Sequence, residues 1–258
     1  MYYPKVDYHI HTKYLGCGRP EMEIEAIVRT CEKLGLEALA ITDHLNTFDK
    51  APLHKPILED LKKIDTDIKL YFAVELNFRG CNQGFAYNRQ IAEDIGFQFA
   101  IGGPHSPFTR NKDLNEIIDI HHAHHLKTCH DQFVKVLVHP YWFPKDIFDK
   151  YRLPWFDTMA KVPEEYTREL GHVAKSTGTA IEINGTAILE GEDLGAPSYY
   201  KDCIEYYRIL KEEGVKFTVS SDAHLLKQLG MVKTAWDIAA ELDLTPEDFW
   251  HPDGKTIN

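Results

Sequence analysis

Fourteen histidines stand out in this chain, and several close short apolar runs: His9-Ile10-His11, Asp43-His44, His105, His139 and Asp222-Ala223-His224. Two acids share that placement, Glu75 and Glu182, the second followed closely by Asn184. Imidazole and carboxylate together suit Zn, Mn or Fe. Gathered in one place, these groups would be costly as a dry core, because buried polar groups need partners, and divalent ions supply them. A carboxylate able to bridge, such as Glu75, also permits two ions about 3.5–4 Å apart, a spacing that activates a shared water. Any one strand-end histidine is as readily a hydrogen-bonded core residue; the set as a whole points to metal.

The runs that carry these groups predict seven strands: Lys5 to His11, Ala38 to His44, Leu70 to Leu76, Phe99 to His105, Val134 to His139, Ala180 to Asn184 and Phe217 to Asp222. Amphipathic stretches between them predict helices, clearest at Glu21 to Leu34, Asp113 to His130, Pro163 to Ser176, Tyr199 to Glu213 and Leu226 to Leu242. Gly35, Gly178 and Gly214 fall where a left-handed helix stop wants glycine. Strand alternating with helix is the pattern of a parallel α/β fold, and the polar groups all sit at carboxyl ends, which converge on one mouth in a closed barrel. Side-chain alternation agrees. His9 and His11 share a face opposite Tyr8 and Ile10, Glu182 and Asn184 one opposite Ile181 and Ile183, and Ser220, Asp222 and His224 one opposite Phe217 and Val219.

Length and composition fit a single domain spanning 1–258, with 43% apolar and 27% charged residues. A net charge of −11 leaves no global field to attract nucleic acid or anionic lipid, and no stretch approaches the roughly 20 apolar residues of a membrane span. Five scattered cysteines read as free thiols, so a cytoplasmic protein acting on a small molecule is expected, with no nucleic-acid or membrane partner.

Asp7-Tyr8-His9-Ile10-His11-Thr12, Ile41-Thr42-Asp43-His44, Glu75, Gly103-Pro104-His105-Ser106, Val138-His139-Pro140 and Ser221-Asp222-Ala223-His224 together resemble the successive motifs of the polymerase and histidinol phosphatase (PHP) family. The match runs from Asp7 to His224 in the family's order. The resemblance implies a distorted seven-stranded, TIM-like (β/α)7 barrel with two or three divalent ions, zinc foremost and Fe or Mn as substitutes. The activity it implies is hydrolysis of a small phosphate ester by a metal-bridged hydroxide. Carried over, His9, His11, Glu75 and Asp222 hold the first ion, and Glu75 bridges to a second held by His105 and His139. His44 and His224 hold a third, with a residue six positions past the second histidine. That residue is Cys17, where family members commonly supply histidine or an acid; a thiolate there favours Zn or Fe, and a small buried turn residue is the other reading. Asp222 is a candidate proton acceptor, and His224 or His44 a candidate leaving-group acid where the third ion is absent.

Phosphoryl oxygens not held by metal call for cationic donors, and Arg19 and Arg79 are the substrate-binding candidates ahead of Lys13 and Arg110. Tyr141 and Trp142 read as packing under a loop in preference to a pocket wall. The cluster His121-His122-Ala123-His124-His125 reads as a solvated helix face, and Glu182 as either a ligand-side acid or the partner of a neighbouring base. Two other functions keep the same ligands: hydrolysis of a lactone or amide, and a metal-binding module without turnover.

Overall fold

The structure is a computed structural model describing residues 2–109, 111, 113–142, 149, 150, 152, 153, 156–193, 198–254 and 256–258, so the candidate Arg110 lies outside the described residues. Its strands are β1 (Val6–Ile10), β2 (Ala38–Ile41), β3 (His44–Leu45), β4 (Lys69–Phe72), β5 (Val74–Phe78), β6 (Ala100–Pro104), β7 (Val134–Leu137), β8 (Ala180–Asn184) and β9 (Phe217–Ser220). Every pairing is parallel. The strands form two sheets, β1-β2-β4 and β3-β5-β6-β7-β8-β9.

Each of the seven predicted runs contains strand, but two are broken. The second run divides into β2 and β3, the third into β4 and β5. At the breaks Thr42 donates its N–H to the Ile10 carbonyl and Ala73 to that of Ile41, both at 2.9 Å. The first half of each run therefore pairs toward β1 and the second half toward β6. At the far edge the chain returns to β1: Asp222 donates its N–H to the His9 carbonyl at 2.9 Å and His11 to that of Ala223 at 3.1 Å. Two sheets joined by isolated bonds, in place of one continuous seven-stranded wall, are what the hydrogen bonds define.

The helices are α1 (Ile24–Leu34), α2 (Lys55–Leu61), α3 (Arg89–Ile95), α4 (Leu114–Cys129), α5 (Glu164–Thr177), α6 (Gly185–Asp193), α7 (Tyr199–Glu212) and α8 (Val232–Glu241). Ile24, Ile27, Val28 and Cys31 of α1 are buried at helical spacing, each apolar side chain contributing about 1.5–3 kcal/mol. Gly35 then stops the helix at φ 77°, a conformation only glycine takes without cost. The predicted helix from Leu226 starts instead as a 3-10 turn over Leu226–Met231 before α8. Strands β1, β2 and β8 are buried on both faces, as parallel strands under helices are. The C-terminal segment covers the amino ends of the strands, with Trp250 donating to the Phe217 carbonyl and Ile257 to that of Leu70. The carboxyl ends stay free for chemistry.

The solvated reading of the histidine cluster is corrected. His121, His122, His124 and His125 are all buried. Helix α4 is covered by β6, β7 and α5 together, so more than its apolar stripe lies inside, and the imidazoles pack as flat rings. His122 stacks on Tyr166 and its Nδ1 and Nε2 meet Tyr141 and Glu169; His124 sets its edge on Phe108. Burial holds the His121 ring uncharged, its pKa pushed down to about 3. Tyr141 packs against His125 and Tyr206, which bears out packing for that residue.

Candidate metal centre

Alternation along each strand turns one side chain in two toward the enclosed face, and at the carboxyl ends these are the groups named from the sequence. Two are aimed by uncommon backbone: His139 has φ 26° and Asp222 φ 54°, each two residues past the end of its strand, β7 and β9. Such conformations cost about 1–3 kcal/mol each and persist where surrounding structure fixes them.

His9, His11, Glu75, His44, His105, His139, Asp222 and His224 are brought together. Four atoms form a compact group at its base. His9 Nε2 lies 3.3 Å from Glu75 Oε2 and 3.4 Å from Asp222 Oδ1, and His11 Nε2 lies 3.4 and 3.3 Å from the same two oxygens. A tetrahedron of ligands about 2.0–2.1 Å from its centre has edges of about 3.3–3.4 Å. Three of those atoms, His9 Nε2, His11 Nε2 and Glu75 Oε2, are buried with no hydrogen-bond partner among the described residues. The other Glu75 oxygen, Oε1, faces His105 Nε2 at 2.7 Å and His139 Nε2 at 3.2 Å. His44 Nδ1 stands 2.8 Å from Oε2 yet off the hydrogen-bond direction.

Proton counting bears on what fits here. His105 turns Nδ1 to the Gly103 carbonyl at 3.0 Å and Nε2 to Glu75, both acceptors, while a neutral imidazole carries one N–H. Burial, opposed by Glu75, lowers the His105 pKa and keeps the ring neutral. His9 is likewise flanked, by Glu182 at Nδ1 and by Glu75 and Asp222 at Nε2. A cation between these atoms resolves the excess of acceptors. Without one, burial opposes charging of His9, yet Asp222, Glu182 and Glu75 together raise its pKa well above the ordinary value. Burial also opposes ionisation of Glu75 and Asp222, and the surrounding imidazoles overcome it in both.

The open side is marked by exposure: His44, His105 and His224 side chains are 20%, 25% and 35% exposed, against 1% for His9 and 0% for His11. His11 stacks between His44 and His224, at 4.6 and 4.1 Å between ring centres, and ligand atoms of these three lie within 4.8 Å of one another. Cys17 falls in a separate group with His11 and Asp43. Burial, then Asp43, pushes its thiol up to about 12.

Glu182 is resolved by the structure. Its carboxylate accepts from His9 Nδ1 at 2.7 Å, the His139 N–H at 2.7 Å, Asn184 Nδ2 at 3.1 Å and the Ser220 hydroxyl, so it orients the His9 ring and holds the backbone of His139. Two acids in the quoted motifs have positioning contacts that the sequence reading left unassigned. Asp43 accepts the Thr12 N–H at 2.5 Å and its hydroxyl at 2.6 Å, and Asp7 accepts the N–H groups of His9 and Ser221. Their signal was proximity to the ligand histidines. Arg19 is exposed and donates its backbone N–H to the His224 carbonyl at 2.8 Å, placing it at the rim; Arg79 lies over the Phe48 ring. Lys13 is engaged with Glu23.

A parallel α/β array with histidines and carboxylates converging at its carboxyl ends places a candidate metal-binding active site where β/α folds carry their chemistry. The chain belongs to the PHP domain family, whose model matches residues 7–186. It is 23% identical over 94% of its length to a protein named probable phosphatase from Acetivibrio thermocellus, covering 88% of that protein. It is 22% identical over 93% of its length to another protein named probable phosphatase, from Proteus mirabilis, covering 86% of it. Among solved structures it resembles histidinol phosphate phosphatase from Lactococcus lactis, complexed with Zn, L-histidinol and phosphate. The TM-score is 0.62 at 16% identity, with 94% of this chain and 95% of that one covered.

Proposed function

We propose that this chain is a metal-dependent phosphatase that hydrolyses a small phosphate ester at the carboxyl end of a distorted seven-stranded barrel. On this reading the two sheets, bridged between Ile10 and Ala223, are the wall of one barrel and one domain, working in the cytoplasm, with all five cysteines free. The observation that carries the proposal is the set of four separations of 3.3–3.4 Å that join His9 and His11 Nε2 to Glu75 Oε2 and Asp222 Oδ1, each the length of a tetrahedral ligand edge.

His9, His11, Glu75 and Asp222 would hold one ion, and Glu75 Oε1 with His105 and His139 a second. His44 and His224 would share a third with Cys17, whose present neighbours His11 and Asp43 make it the most loosely assigned ligand. Divalent ions there lower the pKa of a water they share and offset charge on phosphoryl oxygens. The chain's own groups do the rest. Glu182 fixes the Nδ1–H tautomer of His9. Asp222, kept ionised by His9 and its neighbours, accepts a hydrogen bond from the attacking water on its Oδ1 side. Where the third ion is not bound, His224, whose Nδ1–H is held by the Asp222 carbonyl at 3.0 Å, would have Nε2 free for proton exchange with the departing oxygen. Arg19 at the rim supplies the cationic donor for a phosphoryl oxygen.

Elemental analysis of the isolated protein should find at least two transition-metal ions per chain, and aryl phosphates should release phosphate. Glu75→Gln should lose metal and turnover together. Metal-free protein that Zn, Mn and Fe all fail to activate would refute the proposal, and lactone turnover with inert phosphate esters would replace it with carbonyl hydrolysis.

A further inference from the structure

Above the metal centre, β3 and β5 begin a ladder of side-chain contacts. His44 pairs in register with Glu75, and Leu45 with Leu76. Past this pair β3 ends and Phe48 opens a 3-10 helix (Phe48–His54), yet contacts between the two segments continue, with Asn46 beside Asn77 and Phe48 beside Arg79, the residue directly after β5. The contacts follow that order: His44 Nδ1 to Glu75, Asn77 Nδ2 to the Asn46 side-chain oxygen, and the Arg79 guanidinium over the Phe48 ring at 5.7 Å. Phe48 is 47% exposed, an unusual placement for a large apolar ring at a polar mouth.

Two atoms on this ladder are buried and without a partner among the described residues, Asn77 Oδ1 and Arg79 Nε. Arg79 is nonetheless fixed in place, its Nη2 on the Gln83 carbonyl at 3.3 Å and its backbone N–H on that of Gly84 at 3.1 Å. A guanidinium held by its own loop, set over an aromatic ring and with Nε unpaired among the described residues, is a preorganised anion receptor. Four residues of nearly extended chain set it on the order of 13 Å along the backbone from Glu75.

We propose that this ladder selects the alcohol portion of the substrate: a phosphate ester whose leaving group carries a second anion, a carboxylate or a further phosphate, seated on Arg79 and stacked against Phe48. The proposal rests on the phosphatase reading and narrows it. A leaving group with an ammonium at that end meets Arg79 as a like charge and is disfavoured.

The test compares 4-(2-carboxyethyl)phenyl phosphate with 4-(2-aminoethyl)phenyl phosphate on the metal-loaded chain. The carboxylate ester should be preferred at least tenfold in kcat/KM, mainly through KM. Arg79→Gln should bring the ratio toward one, Arg79→Lys should keep part of it, and Phe48→Ala, a surface change that spares folding, should reduce it. A native ratio near one or favouring the amine, or a ratio unmoved by Arg79→Gln and Phe48→Ala, overturns the proposal. Replacing the carboxylate ester by the ester of a bisphosphorylated phenol separates carboxylate from phosphate as the preferred anion. If no ester turns over, the phosphatase reading fails, and Kd values for the two matching phosphonates decide the ladder by the same tenfold criterion.

Discussion

Glu182→Gln removes one charge and no volume, yet it should move a proton at the metal centre. All four groups around this carboxylate give it a hydrogen: His9 Nδ1 and Ser220 Oγ on one oxygen, the His139 N–H and Asn184 Nδ2 on the other. A glutamine offers one accepting and one donating end. Its NH2 cannot face His139 and Asn184, both of which can only donate, so it must turn toward His9 and Ser220. His9 then accepts at Nδ1 and carries its proton on Nε2, the atom 3.3–3.4 Å from Glu75 and Asp222. A protonated nitrogen cannot bind a metal. Loss of such a ligand-orienting group costs about 10–100-fold in metal affinity, roughly 1.4–2.7 kcal/mol. The metal-free protein should lose only about 1–3 kcal/mol of stability, the cost of a mismatched buried hydrogen bond. Competition against a chromophoric zinc chelator gives the first number and urea unfolding of the metal-free chain the second. Glu182→Gln binding zinc as tightly as the native chain would refute the tautomer argument.

Three further outcomes are expected. Gly185→Ala should cost at least about 3 kcal/mol in urea unfolding, because the new Cβ would stand 2.0 Å from the Met231 carbonyl oxygen, backbone that cannot turn aside; a loss below about 1 kcal/mol would show that α6 shifts freely. In the metal-free chain His121 stays neutral to about pH 3 while the unfolded ring protonates near 6.5, so stability should fall as pH drops through that window, by up to about 1.4 kcal/mol per unit. His121→Gln should flatten that fall, and an unchanged slope would contradict it. Cys17 in the metal-free chain should alkylate far more slowly than exposed Cys81, with a rate still climbing past about pH 10, since burial keeps the thiol protonated to about 12; a plateau near pH 9, read by peptide mass spectrometry, would count against that burial.

The clustering histidines and carboxylates, and their order, were legible along the chain. Parallel strands buried on both faces need apolar runs, and polar residues closing such runs are visible as exceptions, so His9, His11, Glu75, His105, His139 and Asp222 could be read from position and alternation. Helix stops at Gly35 and Gly178 were equally legible, because a left-handed residue favours glycine. The breaks at Thr42 and Ala73 were not. They arise where a strand changes neighbour, a matter of pairing between distant segments that leaves no glycine or proline behind. The α4 histidines were misread for a related reason: helical periodicity tells which residues share a face, but only packing by β6, β7 and α5 tells how many faces are covered. Tertiary contacts likewise settled Glu182, whose place beside His9 and His139 depends on three strands meeting, and the pairing of Phe48 with Arg79, which needs the β3–β5 register. Residue type carries chemistry along the chain, whereas partners far apart in sequence are chosen only when the chain closes on itself.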